Sequence, residues 1–193
     1  MSASLDCTLD PMEEIRFRKK HGVTWVEIQK DTHFTFDELE QIMVIFFKIQ
    51  KRDDRCPGTD LITRNHFRDV LHNGLGMTDA YMMERVMVAL DRGTSPHVTM
   101  ATFAKAMSLY LRGDLEERIS YAFTVSICVI FDELVDIMLK RMDPDLDGVI
   151  NFQDFHTTVL KTPSLLESLG YCLPERPAVY SFIATWCPMW GKM

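Results

Sequence analysis

The sequence predicts an all-α protein built from helix-loop-helix pairs, and three observations carry that expectation. Thirteen Met and twelve Phe stand against nine Gly in 193 residues, a balance that favours helices packed through soft side chains over a turn-rich β fold. Apolar residues recur at helical spacing after Thr35, Ile62 and Val98. One short motif returns three times, as a repeated supersecondary unit would.

Composition narrows the classes of function. Apolar residues at 47% and charged residues at 25% are ordinary for a globular chain. Acids outnumber bases 28 to 21, a formal charge of -7, which disfavours a broad nucleic-acid surface. The five Cys (Cys7, Cys56, Cys128, Cys172, Cys187) form no CxxC pair, so a reducing, cytoplasmic setting is expected over a disulfide framework or a Cys-based zinc site. The acidic start MSASLDCTLDPMEE is unlike a signal peptide, and the longest apolar runs, Ile42 to Phe47 and Ile127 to Phe131, are too short to cross a bilayer. No membrane role is expected.

Along the chain, residues 1–32 read as an extension whose cluster Arg16, Arg18, Lys19, Lys20 and His21 is solvated. A helix begins at Thr35, an N-cap with Glu38 three residues on, followed by Leu39, Ile42, Met43, Phe46 and Phe47. Pro57 and Gly58 break it. Then comes the repeat: Ile62-Thr-Arg-Asn-His-Phe67, Val98-Thr-Met-Ala-Thr-Phe103 and Ile150-Asn-Phe-Gln-Asp-Phe155. Each copy is a β-branched aliphatic, a Thr or Asn, three variable residues and Phe, set between a polar loop and a helical pattern. The first two are 36 residues apart and the last two 52. Residues 33–112 are therefore expected to form one lobe, 113–175 a C-terminal region and 176–193 an aromatic tail.

The third copy carries ligand chemistry. Asp143-Pro-Asp145-Leu-Asp147-Gly148-Val149-Ile150-Asn151-Phe-Gln-Asp154 fits the twelve-residue EF-hand calcium loop. Ca²⁺ is a hard ion that takes six to eight oxygens, which alternate positions of a tight loop can converge on one point. Asp143, Asp145, Asp147 and Asp154 would supply carboxylates and Val149 its carbonyl, with Asn151 acting directly or through water. Gly148 would take the positive φ of the turn. Asp154 stands where a longer Glu is usual, which hinders bidentate ligation and tilts the site toward Mg²⁺.

The other two copies keep the frame without the ligands. From Asp91 to Thr102 only Asp91 is acidic and Pro96 takes the hinge position. The earliest loop has Arg55, Cys56 and Pro57 near its start and His66 at its end. One carboxylate cannot compensate for dehydrating Ca²⁺, so these loops are expected to be metal-free and to pair through Ile62 and Val98. Met77, Met82, Met83, Met87 and Met100 are read first as core and second as an adaptable groove. Tyr180, Phe182, Trp186 and Trp190 could dock in such a groove, in this chain or in a partner.

Several segments in order resemble the calaxins, EF-hand proteins of the neuronal calcium sensor type. They are Gly76-Met-Thr-Asp79, Met83-Glu-Arg-Val86, Ser108-Leu-Tyr-Leu-Arg-Gly-Asp-Leu-Glu-Glu-Arg118 with Tyr121 and Phe123, Leu139-Lys-Arg-Met-Asp143, Leu165-Leu-Glu167 and Gly170-Tyr-Cys-Leu-Pro174. The resemblance implies calcium binding, an outer-arm dynein component as protein partner and a place in the axoneme of cilia or flagella. It also implies three potentially calcium-binding loops. Here the Asp91 loop has lost its ligands. A middle loop should follow Phe123, but two more steps of the 36-residue spacing need 72 residues where 52 are present. The C-terminal lobe is thus expected to be incomplete, with Ile127, Val129, Ile130 and Phe131 packing on the N-terminal lobe, on Leu165-Leu166-Leu169 or on another molecule. Scattered His residues and the lack of any HExxH, nucleophile elbow or phosphate loop give no support to an enzyme. A regulatory adaptor is expected; the alternative is a structural axonemal or scaffold protein with a vestigial calcium loop.

Overall fold

A computed structural model describes residues 10–51, 59–91, 95–127, 139–167 and 170–186. Arg55, Cys56, Pro57, Val129, Ile130, Phe131, Leu169, Trp190 and the cysteines other than Cys172 lie outside them, as do the side chains of Asp91, Ile127 and Trp186.

The first helix, α1, spans Pro11–Lys30. Asp10 caps it by accepting from the Met12 N–H at 3.1 Å, and Pro11 sits where its missing N–H does no harm. Phe17, His21, Trp25 and Ile28, one stripe at helical spacing, are buried, so this segment is not the solvated extension its composition suggested. It lies against α2 (Phe36–Lys51), with Phe17 stacked on Phe47 at 4.2 Å between ring centroids. Its charges meet the chain's own acids and bases: Arg18 with Glu14 and, at 2.7 Å, Glu40; Lys51 with Glu13; Lys20 with Asp60 at 3.1 Å. The capping box of α2 forms as expected, Thr35 N–H to Glu38 Oε2 at 2.8 Å and Glu38 N–H to Thr35 Oγ1 at 3.4 Å.

In its first two copies the repeat motif proves to be a strand, an N-cap and a helical first turn. β1 (Leu61–Thr63) and β2 (His97–Thr99) pair antiparallel with Ile62 opposite Val98, the register expected of two joined loops. Thr63 caps α3 (Arg64–Leu75) and Thr99 caps α5 (Met100–Arg112), each hydroxyl accepting from an N–H three residues on. The motif's Phe follows on the buried side: Phe103 packs edge-on against Phe67 at 5.5 Å and Phe46 at 5.4 Å. α4 (Ala80–Asp91) completes the four helices of the lobe. Met77, Met82, Met83, Met87 and Met100 are all buried, so they build this core rather than line a vacant groove.

Downstream, α6 (Leu115–Ile127) packs on α4. Helical residues 139–142 lead into the Asp143 loop, and α7 (Phe152–Lys161) leaves it, followed by a short 3-10 turn, Pro163–Glu167. α7 rests on α6 and on that turn, with Phe123 5.4 Å from both Phe152 and Phe155. The tail forms α8 (Arg176–Trp186), which returns to α3 and buries Phe182 and Ile183. Gly76, at φ +68, ends α3 in the left-handed conformation and lies beside Ala178. Of the tail's aromatics Phe182 therefore docks in its own chain, whereas Tyr180 is exposed. Buried residues from Phe17 to Ile183 form one continuous cluster, and no helix among the described residues is long and apolar enough to cross a membrane.

Candidate metal centre

The described ends of the two paired loops are tied by protein groups. Ser95 Oγ donates to the His97 carbonyl at 2.9 Å and accepts its N–H at 3.1 Å, while Arg64 Nε holds the Ser95 carbonyl at 2.6 Å. At the end of the first loop Asp60 faces Lys20 and, at 3.3 Å, His21 of α1.

The third loop is different. Asp143, Asp145 and Asp147 each bring a carboxylate oxygen within 4.8 Å of the others. Alternation along a tight turn produces this convergence, and two left-handed residues make the turn: Gly148 at φ +83 and Leu146 at φ +59. Gly148 takes the conformation its position predicted. Leu146 is the cost of the turn, since a Cβ in that region is disfavoured by about 1–2 kcal/mol; its side chain is exposed.

Backbone donors shape the acidic cluster. Asp143, which is buried, accepts from Gly148 N–H at 2.9 Å and Asp147 N–H at 3.3 Å. Asp147 also donates to Asp145 Oδ1 at 3.3 Å, and Val149 donates to Asp147 Oδ1 at 2.8 Å. Burial pushes the Asp143 carboxyl up, but these donors and Asp145 outweigh it and hold Asp143 below the ordinary carboxylate range. The Asp145 carboxyl is pushed up, first by its hydrogen bond to Asp143 and then by burial and the neighbouring charges of Asp147 and Asp154. Mutual repulsion of this kind is what a divalent cation relieves, and three hard oxygens fit Ca²⁺ or Mg²⁺.

Asp154 is not in the cluster. Asn151 Oδ1 accepts from the N–H of Gln153 at 2.7 Å and of Asp154 at 3.1 Å, and Asp154 Oδ2 accepts the Asn151 N–H at 3.2 Å. This is a capping box at the start of α7. Its signal was in the sequence: Asn-x-x-Asp has the spacing of a box as well as of two loop ligands, and only geometry separates the two uses. Ile150 is half-buried outside any strand, and among the described residues the one ladder is β1 with β2.

No protein-family model matches the chain. Among curated proteins it is 30% identical over 179 residues to calaxin of Danio rerio, covering 78% of this chain and 85% of the relative. Calaxin of Xenopus laevis matches at 30% over 179 residues, with 78% and 86% covered, and calaxin of Homo sapiens at 30% over 186 residues, with 79% and 86% covered. With that identity over most of both chains, and an all-α arrangement of paired helix-loop-helix units, the chain belongs to the calaxin family.

Proposed function

We propose that this protein is a calcium-binding regulatory adaptor that associates with an outer-arm dynein component in the axoneme of cilia or flagella and acts by binding rather than catalysis. The observation that carries the ion-binding part is the convergence of Asp143, Asp145 and Asp147 within 4.8 Å. Asp143, Asp145 and Asp147 would hold the ion, with the Val149 carbonyl and, after release from its cap, Asp154. A bound cation would supply charge neutralisation and a fixed loop, not reactivity. The dynein association and axonemal location rest on family membership.

Asp154 in its capping box favours a second reading, a structural axonemal protein whose loop folds without the ion. Calorimetric titration of the full chain with Ca²⁺, and separately with Mg²⁺, distinguishes the two. Micromolar Ca²⁺ binding that Asp143→Ala abolishes supports the adaptor, because regulatory sites of this class bind in that range. Absence of binding at millimolar Ca²⁺ refutes it. Co-sedimentation with purified axonemes, lost after extraction of the outer arms, tests the partner.

A further inference from the structure

The third copy of the repeat stops short of what the first two do. Leu61-Ile62-Thr63 and His97-Val98-Thr99 pair about a centre, first residue opposite last and Ile62 opposite Val98, and both central side chains are buried. Val149-Ile150-Asn151 holds the same positions of the motif, yet it lies in no strand and Ile150 is only half-buried. From Pro144 to Gln153 every other residue is exposed, Leu146 at 83% and Val149 at 61%. This stretch of the loop is open to solvent where its two counterparts are covered by one another.

Backbone bonding singles out Ile150. Val149 N–H donates to Asp147 Oδ1 at 2.8 Å and Asn151 N–H to Asp154 Oδ2 at 3.2 Å, both within the loop. Between them, the N–H and C=O of Ile150 have no partner among the described residues. In an antiparallel pair the N–H and C=O of one residue face the other strand while those of its neighbours face away. A residue with both groups free, between neighbours bonded inward, is therefore a short strand edge with room for one reciprocal pair of bonds. Asn151's capping of α7 does not compete with such a pair, since Thr63 and Thr99 cap their helices from within the ladder.

The register of the N-terminal lobe is self-complementary when both segments are the same: Val149 falls opposite Asn151, and Ile150 opposite Ile150. We infer that the Asp143 loop is an association surface for a second copy of this chain, the two copies pairing antiparallel about a two-fold axis at Ile150. Each Ile150 N–H donates to the Ile150 carbonyl of the other copy, and the exposed Val149 side chains are covered. Such a contact is isologous and closes at two copies. It is also small, which sets it among weak, transient interfaces. Asp143, Asp145 and Asp147 of the two copies oppose it at low ionic strength, so salt or a bound cation strengthens it. The pairing does not rest on ion binding, because salt alone screens the acids.

Sedimentation equilibrium of the full chain tests this in EGTA with about 0.5 M NaCl, where the screening length is about 4 Å. Monomers of 22.4 kDa should give way to dimers with a Kd of about 10–100 µM. Val149→Glu should weaken the dimer at least about tenfold, because the two new carboxylates stand on residues about 7–8 Å apart across the axis. Val23→Glu, at a position 82% exposed on α1, is the control and should change nothing. Amide exchange followed by NMR should slow at Ile150 as protein concentration rises, with Val149 and Asn151 unchanged. Ca²⁺ in place of EGTA at low salt tightens the dimer if the loop takes the ion; a dimer in salt that Ca²⁺ does not strengthen upholds the pairing and counts against the calcium reading alone. Monomer up to about 500 µM in both salt and Ca²⁺, a dimer that Val149→Glu leaves intact or that Val23→Glu weakens equally, or one that leaves Ile150 exchange unchanged, overturns the inference.

Discussion

Trp25 decides whether α1 belongs to the cooperative core. Its side chain is 1% exposed and meets Phe17 edge-on at 5.4 Å. An indole buries roughly 150–250 Å², which at about 25 cal/mol per Å² corresponds to about 4–6 kcal/mol of transfer. Large-to-small aromatic substitutions lose about 3–5 kcal/mol after partial collapse of the cavity. Trp25→Ala is therefore expected to remove about 3–5 kcal/mol, a large share of a typical total. For a chain of this size that lowers Tm by roughly 6–20 °C. The Trp25 Nε1 hydrogen is buried without an acceptor, so Trp25→Phe deletes an orphan donor along with some packing and should cost under about 1.5 kcal/mol. Urea denaturation followed by circular dichroism measures both variants. A Trp25→Ala loss below about 1 kcal/mol, or equal losses in the two variants, would refute the view that α1 is built into the lobe by this stripe.

His21, also on that stripe, should make stability depend on pH. Burial lowers its pKa below the ordinary 6.5, aided by Lys20 and opposed by Asp60. The folded state binds the proton less readily than the unfolded chain, so this contribution is full above pH 6.5 and lost as pH falls toward the depressed folded value; His21→Phe should flatten the slope in that window. Tyr110 and Tyr121 share a buried hydrogen bond of 2.6 Å. Tyr121→Phe alone strands the Tyr110 hydroxyl at a cost of about 1–3 kcal/mol, and the double Phe variant should lose less than the sum of the singles; strict additivity by urea denaturation contradicts the pairing. The Cys172 thiol is pushed up to about 12, chiefly by burial, so it should resist iodoacetamide in the folded protein at neutral pH and react once the chain is unfolded. Labelling of Cys172 at the unfolded rate under native conditions, read by peptide mass, contradicts its placement.

Local signals were legible because their physics is local. The α2 capping box and the Ile62–Val98 register both follow from side chains acting within a few residues or on a fixed repeat. α1 was misjudged because its buried stripe contains His21, and because Arg18 and Lys20 pair with acids 22 and 40 residues away. The return of α8 to α3 brings Gly76 and Ala178, about a hundred positions apart, together across the fold. No period in the sequence reports such a meeting. At Asp154 the ambiguity was chemical: one carboxylate at one spacing serves either an ion or an N–H group, and the geometry places it on the N–H of Asn151.

That assignment bears on how an ion would be felt elsewhere. In the N-terminal lobe the two loops are tied by the Ile62–Val98 ladder, so a change in one is felt by the other. Ile150 lacks such a tie among the described residues. A change in the Asp143 loop reaches the rest of the fold on one side through α7, and α7 meets α6 through Phe152 and Phe155 against Phe123 and through His156 with Glu116 at 2.6 Å. Recruiting Asp154 to an ion would break its bond to the Asn151 N–H and shift the first turn of α7, which carries Phe152 and Phe155. The α6 helix, which also packs on α4, would receive that shift. A loop with no ladder partner among the described residues would thus act as a lever on one helix rather than as half of an opening pair, and Phe123 is the contact at which that lever would be uncoupled.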